Sequence, residues 1–183
     1  MLGGFSHPFL KAWKLASESG CSLPTVRESE LLNTPFRFWL GQILAYPQID
    51  GAFKKGRDFH DAHSGWIVPG SAIPPEVAGK AGAALLMRPG LLEEKRERVV
   101  VIPSEVEIQL CMIQSKFGYG TPDPETSLPT VNALSYYPAP GLNGFFRLDG
   151  PGVRPIVRNL YGQGNLAADY WPGARFPVLA IFP

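Results

Sequence analysis

Cysteine is scarce in this chain: Cys21 and Cys111 are the two copies in 183 residues. They form no C-x-x-C, which argues against a zinc knuckle or a thioredoxin-type pair. Cys111 falls in a strand-like apolar run and reads as a buried thiol. A Cys21–Cys111 disulfide would need an oxidising compartment, and no feature of the chain points to one. An excess of one charge is also missing, since 17 Lys+Arg stand against 16 Asp+Glu with a pI near 7.8. Nucleic-acid domains usually carry a basic excess and a pI above about 9, so nucleic acid is not an expected partner. No run approaches the roughly 18 apolar residues of a membrane helix, so no membrane is expected. The first residues lack a basic stretch followed by an apolar one. The chain reads as a cytoplasmic protein. Charge as a whole is low, 18% of residues against the usual ~25%. With an apolar fraction of 45%, that balance argues for a packed core rather than disorder.

Catalytic signatures are missing as well. There is no H-E-x-x-H, no H-x-H pair and no G-x-S-x-G elbow. Gly118-Tyr119-Gly120 and Gly162-Gln163-Gly164 lack the strand-to-helix setting of a phosphate loop and read as turns.

Proline and glycine are plentiful, with 19 and 20 residues. Such punctuation favours many short strands over long helices. One domain spanning 1–183 is expected, with a helical part over about 1–47 and a β-rich part over about 65–183. A first helix is predicted over 8–19, with Pro8 at its first position and Gly20 ending it. A second is predicted from Thr34 and Pro35 to about Ala45, because Phe36, Trp39, Leu40, Ile43 and Leu44 recur at helical spacing. Strands are predicted at 65–69, 83–87, 99–102, 106–113, 145–148, 153–160 and 176–182. The charged run Glu93 to Arg98 reads as a solvated turn, and Pro74-Pro75-Glu76 as a helical turn. The fold class is therefore α+β: two N-terminal helices packed on a mostly antiparallel β-sheet or a partly closed barrel.

Asp58-Phe59-His60-Asp61-Ala62-His63 is the densest cluster of chemical side chains. Asp58, His60 and His63 offer the ligand types that a divalent transition metal accepts. Further ligands would come from His7, Glu105, Asp123 or Asp149. The plainer reading is a polar surface loop whose residues cap turns, and no cofactor is then expected. Just before it, Phe53-Lys54-Lys55-Gly56-Arg57 with Phe59 forms a small basic patch with aromatics, of the kind that can hold phosphates. Three cations are few, and a solvated loop is the plainer reading here too.

The segment 116–144 has five prolines and no clear periodicity. Tyr119, Tyr136 and Tyr137 within it, and Trp66 before it, are candidate binding aromatics. Arg154 and Arg158 fall on one face of a late strand and are expected to face solvent. The leading functional expectation is a non-catalytic binding or protein-interaction module built on this aromatic, proline-rich loop, with a protein or small-molecule ligand. The alternative is a metal-dependent hydrolase or nuclease using Asp58, His60 and His63.

Overall fold

The computed structural model describes residues 6–32, 34–47, 52–80, 83–110, 136–138, 145–147, 152–158, 165–168 and 170–183. The expected first helix is present as α1 (Phe9–Glu18), with Pro8 one position earlier than predicted, at the N-cap. Its buried residues Phe9, Ala12 and Ala16 follow helical spacing. Cys21 N–H donates to Ala16 O and Gly20 N–H to Ser17 O, and Gly20 has φ +69°. This paired closure needs a left-handed residue, and glycine supplies it without a Cβ penalty.

The second predicted helix is not one. Phe38–Tyr46 is a strand, β1, with eight of its nine residues buried. Trp39, Ile43 and Ala45 enter one core cluster, while Phe38, Leu40, Leu44 and Tyr46 enter another. Odd and even residues therefore face opposite sides of the sheet, and both sides are apolar. A strand buried on both faces loses its alternation, and a helical stripe then fits the same apolar residues by coincidence. Gly41 marks the difference. A Cβ there would lie 2.6 Å from the Leu23 carbonyl oxygen, and Gly41 N–H donates to Pro24 O. The chain before β1 lies directly against it.

The other helix is a single turn, α2 (Val26–Ser29). Thr25 and Glu28 form a reciprocal capping box, which the spacing T-x-x-E encodes.

The remaining strands are β2 (Phe59–His60), β3 (Trp66–Val68), β4 (Ala83–Lys95), β5 (Arg98–Leu110), β6 (Tyr136–Pro138), β7 (Phe145–Arg147), β8 (Gly152–Arg158) and β9 (Asn165–Ala167). Among the described residues they form one sheet in the order β2-β3-β5-β4-β1-β8-β9-β7-β6. The sheet is mixed, with the β3–β5 and β7–β9 pairings parallel and the other six antiparallel. It is open, so the barrel variant does not hold.

The predicted strands 83–87 and 99–102, and residues 106–110 of the predicted strand 106–113, belong to a single long hairpin of β4 and β5, while 111–113 lie outside the described residues. Most of the charged run continues its strands: Lys95 pairs with Arg98, and Arg96 and Glu97 alone turn the chain. The predicted helical turn appears as a short 3-10 segment, Pro75–Val77. The predicted last strand is not regular. Phe176 bridges His7 and Ile181 bridges Ser22 as isolated pairs. Pro177 removes a donor there, which breaks any continuous ladder.

α1 packs on the sheet face that carries Trp39, and Phe9 meets the Trp39 and Trp66 rings at 5.6 and 5.9 Å. Fully burying one such aromatic or aliphatic side chain contributes about 1.5–3 kcal/mol. No helix among the described residues is long and apolar enough to cross a membrane.

Candidate functional site

The stretch from Phe53 to Trp66 folds into an ordered loop against the sheet rather than a free excursion. Phe53 anchors it. Its ring is buried and meets Phe59 edge-on at 5.2 Å, and its carbonyl accepts from Gly79 N–H at 2.7 Å. Arg57 N–H donates to Lys54 O, closing a tight turn that carries the basic side chains. That turn rests on Gly70, where a Cβ would come within 2.7 Å of the Gly56 backbone. Asp58 fastens the contact, its Oδ1 accepting from Gly70 N–H at 2.8 Å.

Asp61 locks the second half. Its side chain is 3% exposed and Oδ2 lies 3.6 Å from Arg154 Nε. Oδ2 also accepts from Ser64 Oγ at 2.9 Å and from Val153 N–H at 3.1 Å, while Oδ1 accepts from His63 N–H at 2.9 Å. Burial alone would raise the Asp61 carboxyl, but these hydrogen bonds and the Arg154 charge outweigh it and hold it below the ordinary carboxylate range. The carboxylate thereby ties the loop to β8, a central strand. This corrects the expectation that Arg154 faces solvent. Arg154 is buried because it meets Asp61 from across the fold. Arg158 is partly buried as well, and burial lowers its pKa.

Beside the loop lies an open cleft of about 480 Å³, lined by Pro47, Ala52, Phe53, Lys54 and the run Arg57 to His60. Two cations, one carboxylate, an imidazole and two phenyl rings meet there. Lys54, Arg57, Asp58 and His60 are exposed, and Phe59 is half-buried. The volume falls in the range of small-molecule sites, about 300–1,000 Å³.

Asp58 and His60, two of the three metal candidates, line this cleft, whereas His63 is not among its walls. Among the described residues no three His, Cys, Asp or Glu side chains gather as a cation needs. Glu105 instead lies 3.8 Å from Arg88, and the backbone of His7 pairs with Phe176. Asp123 and Asp149 lie outside the described residues.

Of the aromatic candidates, Trp66 is 4% exposed and belongs to the core. Its ring packs on Phe9, because β3 turns it inward and α1 covers it. Tyr119 and Cys111 lie outside the described residues, with most of the segment 116–144. Tyr136 and Tyr137 fall on β6, the last strand of the sheet, opposite Arg147 and Phe146.

Asp61, Ser64 and Arg154 carry this region; the sequence places Asp61 in a loop whose residues cap turns, as it does here, but gives Ser64 and Arg154 no part in it. An Asp followed by Ser and Gly is a local turn signal, so the Asp61–Ser64 half of the network was open to inference. Arg154 carried no such signal. Comparison of the chain with family models, with curated proteins and with solved structures gave no match.

Proposed function

We propose that the protein is a non-catalytic binding module whose small-molecule ligand occupies the cleft lined by Pro47, Ala52 to Lys54 and Arg57 to His60. The observation that carries this reading is a preformed cleft of ligand size. Its walls are held by Phe53, Asp58 and the Asp61 network rather than by the ligand. A site that is already ordered loses little conformational entropy on binding. Four of the cleft's eight lining residues are apolar and four are ionisable, and ligand sites join apolar walls to placed polar groups. The test is a fragment screen read by amide chemical shifts. The reading expects at least one fragment to move the amides of residues 53–60 in a saturable way. A diverse library that moves none of them would contradict it.

The metal-dependent reading retains one supporting observation, that Asp58 and His60 share this cleft. It expects purified protein to carry about one equivalent of a transition metal, lost in His60→Ala. Tyr136 and Tyr137 remain candidates for a separate protein contact, read by self-association of the Tyr136→Ala, Tyr137→Ala variant.

A further inference from the structure

The charge and shape of the same cleft narrow the chemistry of its ligand, provided that the cleft is the binding site proposed for it. Lys54 and Arg57 are neighbours on one four-residue turn, joined by the Arg57 N–H to Lys54 O hydrogen bond. The turn is fixed at both ends: Phe53 is buried before it, and Asp58 is bonded to Gly70 after it. Both cations line the cleft, and no carboxylate is ion-paired with either among the described residues. The one acid in the wall, Asp58, already accepts a backbone hydrogen bond. A guanidinium presents a planar fork suited to phosphate and an ammonium adds a point charge. Phe59 supplies an apolar surface beside them. The chain as a whole is nearly neutral, at +1. The overall charge therefore gives a broad polyanion such as nucleic acid no general attraction, whereas a single compact anion meets two cations together here.

We infer that the cleft recognises a small organic phosphate, its phosphate held by Lys54 and Arg57 and its flat apolar part lying against Phe59. The phosphate fixes position by charge, and the ring adds affinity by contact with an aromatic wall. Asp58 faces the same space and is placed to accept a hydrogen bond from a ligand hydroxyl or amine.

The experiment titrates the full chain with three probes, following the amide shifts of residues 53–60. Phenyl phosphate carries both features, inorganic phosphate the anion alone and phenol the ring alone. Phenyl phosphate is expected to bind at least tenfold more tightly than either partial probe, and to weaken as salt is raised. A Lys54→Ala, Arg57→Ala variant is expected to lose at least tenfold in phenyl phosphate affinity with its melting temperature unchanged, since both side chains are exposed. Phenol binding as tightly as phenyl phosphate, or a double variant that binds phenyl phosphate unchanged, would overturn the anion assignment while leaving the binding reading in place. The same holds if neutral fragments move these amides and no phosphate does. Silence from the phosphates and from the whole fragment library would overturn both.

Discussion

β1 and the loop from Phe53 to Trp66 are held in opposite ways. β1 is fixed by apolar surface on both faces, spread over Phe38, Trp39, Leu40, Ile43, Leu44, Ala45 and Tyr46. The loop is fixed by ring contacts and by two carboxylates, one of which gathers four partners. Dispersed apolar contacts are non-directional, so their loss is graded with the volume removed. A buried carboxylate is directional, and removing it breaks several specific hydrogen bonds at once. Only one of the two offers a place for function. The strand is a foundation with no exposed chemistry, and the loop is a rigid shelf that keeps Lys54, Arg57, Asp58 and His60 at the surface.

Four measurements sharpen or break that contrast. Trp39→Ala is expected to cost the most, about 3–5 kcal/mol in urea melts. It empties the middle of the core and leaves the His7 carbonyl without the indole N–H that now reaches it at 2.8 Å. A cost below about 1 kcal/mol would mean that β1 is not the foundation. Asp61→Ala is expected to cost about 3 kcal/mol, close to the burial effect despite the smaller side chain. A cost near zero would show that the loop amides are satisfied without it.

The third measurement is the acid limb of stability. The Asp61 carboxyl sits below its ordinary range in the folded protein. Its contribution is therefore complete above that range and is lost as pH falls through the folded value. Asp61→Asn should show a shallower loss of melting temperature below about pH 4 than the parent chain. Identical slopes would remove Asp61 as a source of that loss. The smallest effect belongs to Lys14→Ala. The Lys14–Glu94 pair is short, 2.7 Å, but 44% and 54% exposed, and exposed pairs contribute about 0–1 kcal/mol. A loss above that range would mean that α1 depends on the hairpin more than the core suggests.

How much of the fold is legible in the sequence depends on how local the cause is. α1 is legible because its apolar spacing and the glycine that closes it lie within one short stretch. The β4–β5 hairpin is legible as strands, since Val106, Ile108 and Leu110 alternate with polar residues. Its length is not, because Pro89, Gly90 and Pro103 break the pattern at an irregularity that the pairing tolerates. β1 reads as a helix because two buried faces erase the period that separates strand from helix. Its aromatic residues are the signal that favours a strand, and the central Gly41 argues against a helix interior. The cleft is half legible: the basic patch and the Asp/His cluster are visible as separate features. Their meeting in one cleft depends on Phe53, Gly70 and Asp61, which act through contacts across the fold. Arg154 escapes the sequence for the same reason, since its partner lies in a distant loop.

The loop is expected to be as firmly built as β1. Native-state hydrogen exchange tests this most directly, at the amides of Asp61, Gly70 and Gly79. Those amides are bonded to Trp66 O, Asp58 Oδ1 and Phe53 O. Slow exchange is expected at all three, opening with the same free energy as the β1 amides of Leu44 and Ala45. Fast exchange at these amides while β1 stays protected would mean that the cleft is a feature of a loose loop rather than a built site.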